Sequence, residues 1–87
     1  MADLRQFRVA CRSDNTNAFG LYGVILVAPT GEAWEVGLSG FHPNRLIPGT
    51  TVHVPMGRFS PDWSAWGAEI PRRLPNAPKD VVEKLWI

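Results

Sequence analysis

Two histidines, His42 and His53, are the residues of this chain best suited to acid–base chemistry, because an imidazole titrates close to neutrality. A hydrolase or nuclease would need one of them oriented by a carboxylate, and Asp14, Glu35 and Asp62 are the nearest suppliers in type. The catalytic set on that reading is His42, His53 and Asp62. No fixed spacing ties either histidine to an acid, so the residue types of a site are present without its geometry, and the chain leans away from being an enzyme. Cys11 is the single thiol. It alternates with Phe7 and Val9, which predicts a side chain packed in a core and not a nucleophile. One cysteine closes no intramolecular disulfide and completes no thiolate site, and two isolated histidines do not define a zinc centre, so neither metal nor cofactor is expected.

Binding chemistry has more material. Residues 39–49, SGFHPNRLIPG, carry two prolines and two glycines, which predicts a long loop anchored by Phe41, Leu46 or Ile47. Within it, Phe41, His42, Asn44 and Arg45 combine an aromatic ring, an imidazole, an amide and a guanidinium. Four tryptophans in 87 residues add a second source of contact surface, and Trp63 and Trp66 lie three positions apart, on one face if the segment is helical. These six residues form the candidate ligand-binding set; the competing role for the two rings is core or subunit packing.

Charge narrows the partners. Nine Lys and Arg against eight Asp and Glu leave a net charge of +1, so no overall field draws the chain to a polyphosphate or an anionic bilayer. A nucleic-acid surface would have to be local, built from Arg5, Arg8 and Arg12 with an exposed aromatic, and is disfavoured. The first residues, MADLRQF, lack the apolar stretch of an export signal, and the longest apolar run is far below the roughly 20 residues of a membrane span. With a lone cysteine, the expectation is a cytoplasmic protein without membrane contact.

The elements that must position these groups follow from periodicity. LRQFRVACR alternates apolar and polar positions as a half-buried strand does, and SDNTN, residues 13–17, reads as the turn that ends it. Residues 19–28 are apolar on both alternating faces, which predicts a central strand covered on both sides by the chain itself or by a subunit partner. Gly20 and Gly23 within it are expected to allow curvature. APTGE supplies Pro29 and Thr30 for the centre of a type I turn and Gly31 for a left-handed bulge, so the chain reverses, bringing Trp34 across from Val24 or Leu26. TTVHVPM predicts a fourth strand, ended or edged by Pro55.

After that strand, Ser60 and Pro61 open a short helix through Trp66 closed by Gly67, with a strand over Trp66 to Ile70 as the alternative. Residues 71–78 read as a rigid passage into a terminal helix. Asn76 is its expected cap, and Val81, Val82, Leu85 and Trp86 form its apolar stripe. About three turns do not hold alone in water, so this helix must dock.

The whole predicts one α+β domain over residues 1–87: a small curved antiparallel sheet or partly open barrel of four to five strands, with a C-terminal helix on one face. The leading functional expectation is a noncatalytic binding or oligomeric accessory protein, serving a protein partner or a second copy of itself, with a small-molecule ligand as a further candidate. The hydrolase or nuclease and the nucleic-acid module are the alternatives.

Overall fold

The computed structural model describes residues 3–39 and 46–87. Five strands, β1 (Leu4–Arg12), β2 (Leu21–Val27), β3 (Ala33–Ser39), β4 (Thr51–Pro55) and β5 (Glu69–Leu74), form one antiparallel sheet in the order β4-β1-β2-β3-β5. The two outer strands do not pair with each other, so the sheet is open and not a barrel. As its two apolar faces require, β2 is the central strand. The β2–β3 reversal follows the turn chemistry of its sequence. Gly31 N–H donates to the Ala28 carbonyl (2.9 Å), Ala28 N–H to that of Glu32 (2.8 Å), and Gly31 takes φ 95°. Only glycine holds that conformation without strain. Trp34 lies opposite Leu26 and Val24 opposite Val36, in the expected register.

One face of the sheet carries the core. Phe7, Val9, Val24, Leu26, Val36, Leu38, Val52 and Val54 cluster there and are capped by Leu46 and Trp63. Of the anchors expected in the middle loop, Leu46 is fully buried, Ile47 is exposed, and Phe41 lies outside the described residues. The opposite face receives α1 (Lys79–Trp86) at one end. Trp86 Nε1 donates to the Val27 carbonyl (3.0 Å), and Arg8 Nη1 donates to the Leu85 carbonyl (2.8 Å).

Two bulges break the alternation that local sequence suggests. Between Val9 and Cys11 the β1–β2 register shifts by one, leaving Ala10 as an extra residue. A one-residue slip sends every later side chain to the other face. Cys11 is therefore exposed, correcting the expectation of a buried thiol. Arg12 takes the phase of Val9 and stacks on Tyr22, its guanidinium carbon 4.5 Å from the ring centroid. In β5, Ile70 and Pro71 together oppose Val36. Ile70 adopts φ 51°, a left-handed conformation that costs a β-branched residue on the order of 1–3 kcal/mol.

The last third also departs from expectation in detail. Both candidate readings of residues 60–70 hold in part: a 3-10 turn, η1 (Trp63–Trp66), precedes a strand that begins at Glu69. Asp62, not Ser60, caps η1, because Pro61 is drawn into a bridge with Met56. Residues 69–74 are a strand and not a bare passage, with Pro71 tolerated on a sheet edge. Asn76 does not cap α1, since its Oδ1 accepts from Arg73 Nη2 (2.8 Å) and Pro78 occupies the cap position.

Both sheet edges are guarded against further strands. On β4, the His53 carbonyl accepts from Trp66 Nε1 (2.9 Å) and the Pro55 carbonyl from Asp62 N–H (2.7 Å). On β5, Pro71 removes a donor and Arg72 and Arg73 add charge.

Candidate functional site

Trp63 is the pivot of the aromatic region. It follows the Asp62 cap, whose Oδ1 accepts from Ser64 N–H (3.2 Å) and the Ser64 hydroxyl, so η1 is set at a fixed angle over the sheet. Its ring lies 5.3 Å from Phe7 and 5.7 Å from Trp34, both tilted, and only 5% of the residue is exposed. Three indole donors have acceptors: Trp34 on Glu32 Oε2 (3.0 Å), Trp66 on His53 and Trp86 on Val27. The Trp63 Nε1–H is buried without one among the described residues.

Beside this cluster opens a cleft of about 410 Å³, whose walls include Trp34, Trp63, Pro61, Pro71, Ser60 and Asp62. Asp62 is the one ionisable residue among its described walls. Behind Trp34, Glu32 collects the indole, Arg5 Nη1 (3.1 Å) and Arg73 Nη1 (3.5 Å), with 14% of its side chain exposed. Glu32→Ala is expected to cost about 1–3 kcal/mol, since it strands a half-buried indole donor and two guanidinium groups together; urea unfolding checks this. An effect below 0.5 kcal/mol, the range of an isolated surface pair, would show that Glu32 does not hold Trp34.

The sequence candidates separate in space. Trp63 and Trp66 share η1, but Trp63 is mostly core and Trp66 is tied to the β4 edge. Phe41, His42, Asn44 and Arg45 lie outside the described residues. His53 is exposed on β4 with its Nε2 3.3 Å from Gln6 Nε2, and Asp62 is engaged with Ser64. Among the described residues, no three of His, Cys, Asp and Glu converge as metal ligands would. The three arginines of β1 are each engaged within the chain. Arg5 pairs with Glu32, Arg8 bonds Thr51 Oγ1 (3.0 Å) and stacks on Trp86, and Arg12 covers Tyr22.

Sequence reasoning missed Trp34 and Pro71 as walls of the cleft. Trp34 had a sufficient role as a cross-strand partner, and Pro71 becomes a wall only because residues 69–74 join the sheet beside β3. A second concavity, of about 220 Å³, lies on the opposite face, bounded by Asn17, Leu21, Gly23, Gly37, Glu69 and Ile70. No helix of the described residues is long and apolar enough to cross a membrane. Compared with protein-family models, curated proteins and solved structures, the chain matches none of them.

Proposed function

We propose that this protein is a noncatalytic binding module that receives a short segment of a partner protein in the cleft between Trp34 and Pro71. The observation that carries this reading is the composition of the cleft: indole and proline walls around a single carboxylate, Asp62. Large rigid rings and prolines offer contact area at little conformational cost, and one acid on an apolar wall favours a segment with an apolar side chain next to a basic one. The fixed geometry of η1 supports it, because a preorganised wall loses little entropy on binding. A hydrolase reading through His53 would need a carboxylate in contact with the ring, and its described neighbour is Gln6.

Panning a random peptide display library on the intact chain tests the proposal, followed by titration of the selected peptides against tryptophan fluorescence. The expected consensus pairs an aromatic or aliphatic residue with Lys or Arg. Asp62→Asn and Pro71→Ala should each weaken binding about tenfold, the loss of one well-placed contact. Failure to enrich any peptide, or peptides indifferent to both substitutions, would overturn it.

A further inference from the structure

Gly23 sits in the middle of the central strand, where a glycine weakens the sheet and needs a reason. Its register partner on β3 is Gly37. The chain itself explains Gly37, because a Cβ there would lie 3.3 Å from both the Glu69 carbonyl oxygen and Leu21 Cδ1. It does not explain Gly23. The backbone there is not left-handed, and among the described residues a Cβ would meet nothing within 4 Å. Room for a side chain is present and left empty, on the part of the sheet face that α1 does not reach.

The paired glycines floor the 220 Å³ trough, with Leu21 and Ile70 among its walls. Ile70, one of its walls, is 80% exposed on its left-handed backbone, and Phe19, between the walls Asn17 and Leu21 in the chain, is 82% exposed. Phe19 belongs to the turn that Asn17, itself a wall of the trough, holds by accepting from the Phe19 and Leu21 N–H groups (2.8 and 3.1 Å). A hole that accepts a ring and a ring without a hole thus occupy one patch.

We infer that this face pairs two copies of the chain about a two-fold axis, each Phe19 ring entering the other copy's Gly23–Gly37 trough. An apolar cavity of about 150 Å³ suffices for benzene, so the volume admits a phenyl ring. Knob and hole side by side on one surface are what an isologous contact requires, since a single two-fold operation then fills both. Of the two acids that line the trough, Glu35 is neutralised by Arg72 (2.8 Å), and Glu69 must keep its contact with water at the rim when the copies pair. An aromatic ring buries about 150–250 Å². Two rings with Ile70 and Leu21 reach the low end of stable interface sizes, about 1,200 Å², so the dimer is reversible. The Trp34–Trp63 cleft is on the other face, and its occupancy is independent of this contact.

Sedimentation velocity on the full chain from about 10 μM to 1 mM tests the inference, a range that brackets weak association. Wild type is expected to move from the 9.7 kDa monomer toward twice that mass. Phe19→Ser removes the knob and Gly23→Val fills the hole, and each should weaken association at least tenfold. Neither should lower the melting temperature, and Gly23→Val should raise it, because valine suits an unobstructed strand position. Mixing the two variants should restore part of the association, since one intact hole then faces one intact knob. A wild type that stays monomeric at 1 mM, including one whose trough takes a different protein, would overturn the inference. So would a dimer that survives both substitutions, or a mixture that does not recover.

Discussion

Trp63→Ala is expected to lower the unfolding free energy by about 3–5 kcal/mol, the range for emptying a large aromatic site in a core. The ring has no other support to hand over: it closes the core face between Phe7 and Trp34, and η1 is a single turn held by the Asp62 cap. At about 4–8 °C per kcal/mol for a domain of this size, the melting temperature should fall by 12 °C or more, and a calorimetric scan would report it. Trp63→Phe separates the ring from its donor. Phenylalanine leaves a smaller gap, and it also removes an N–H that is buried without an acceptor among the described residues, a group costing about 1–3 kcal/mol. The two effects oppose, so Trp63→Phe should stay within about 1 kcal/mol of wild type. Equal damage from both substitutions would mean that the indole donor carries a bond, contrary to its surroundings.

That contrast bears on what residue patterns reveal. Local chemistry was sufficient where the cause is local: the Ala28 to Glu32 reversal, the centrality of β2 from its two apolar faces, and a terminal helix forced to dock by its short length. It failed where the cause lies in a neighbouring strand. The extra residue at Ala10 is defined only against β2, and it moved Cys11 out of the core and Arg12 over Tyr22. The same holds at Ile70 and Pro71, whose bulge exists only against Val36. Capping failed for a related reason. Ser60 and Asn76 are competent caps by type, but Pro61 beside Ser60 is drawn into a bridge with Met56, and the Asn76 side chain itself is taken by Arg73 of β5. Gly23 was legible as an unusual residue and not as a hole. Curvature is a sufficient account until the space above it and the exposed ring at Phe19 are seen together.

Trp86→Ala is expected to release α1 while the sheet stays folded. The helix has eight residues, none fully buried, and no side-chain cap, so it has no stability of its own. Asp80 in its first turn and Lys84 in its last suit the helix dipole, and the exposed Lys79–Glu83 pair at 3.9 Å adds little. The Ala77 N–H donates to the Gly31 carbonyl (2.8 Å) just before the helix, and Val82 and Leu85 are half-buried, so within α1 the polar attachment falls on Trp86 and Arg8. The indole donates to Val27 at 3.0 Å, its ring lies 4.5 Å from the Arg8 guanidinium carbon, and Arg8 in turn bonds the Leu85 carbonyl. One hydrogen bond, one cation–π contact and half the burial of a large ring sum to roughly 2–3 kcal/mol. Because the loss falls on one peripheral element, it should appear as a local opening. Amide exchange should accelerate across residues 79–86 while the β2 amides keep the protection of the global fold. Arg8→Ala should do the same more weakly, and the double variant should fall short of the sum by about 1 kcal/mol, the share the ring and guanidinium hold jointly. If the helix amides of Trp86→Ala exchange as slowly as those of wild type, α1 is held by contacts other than these two residues.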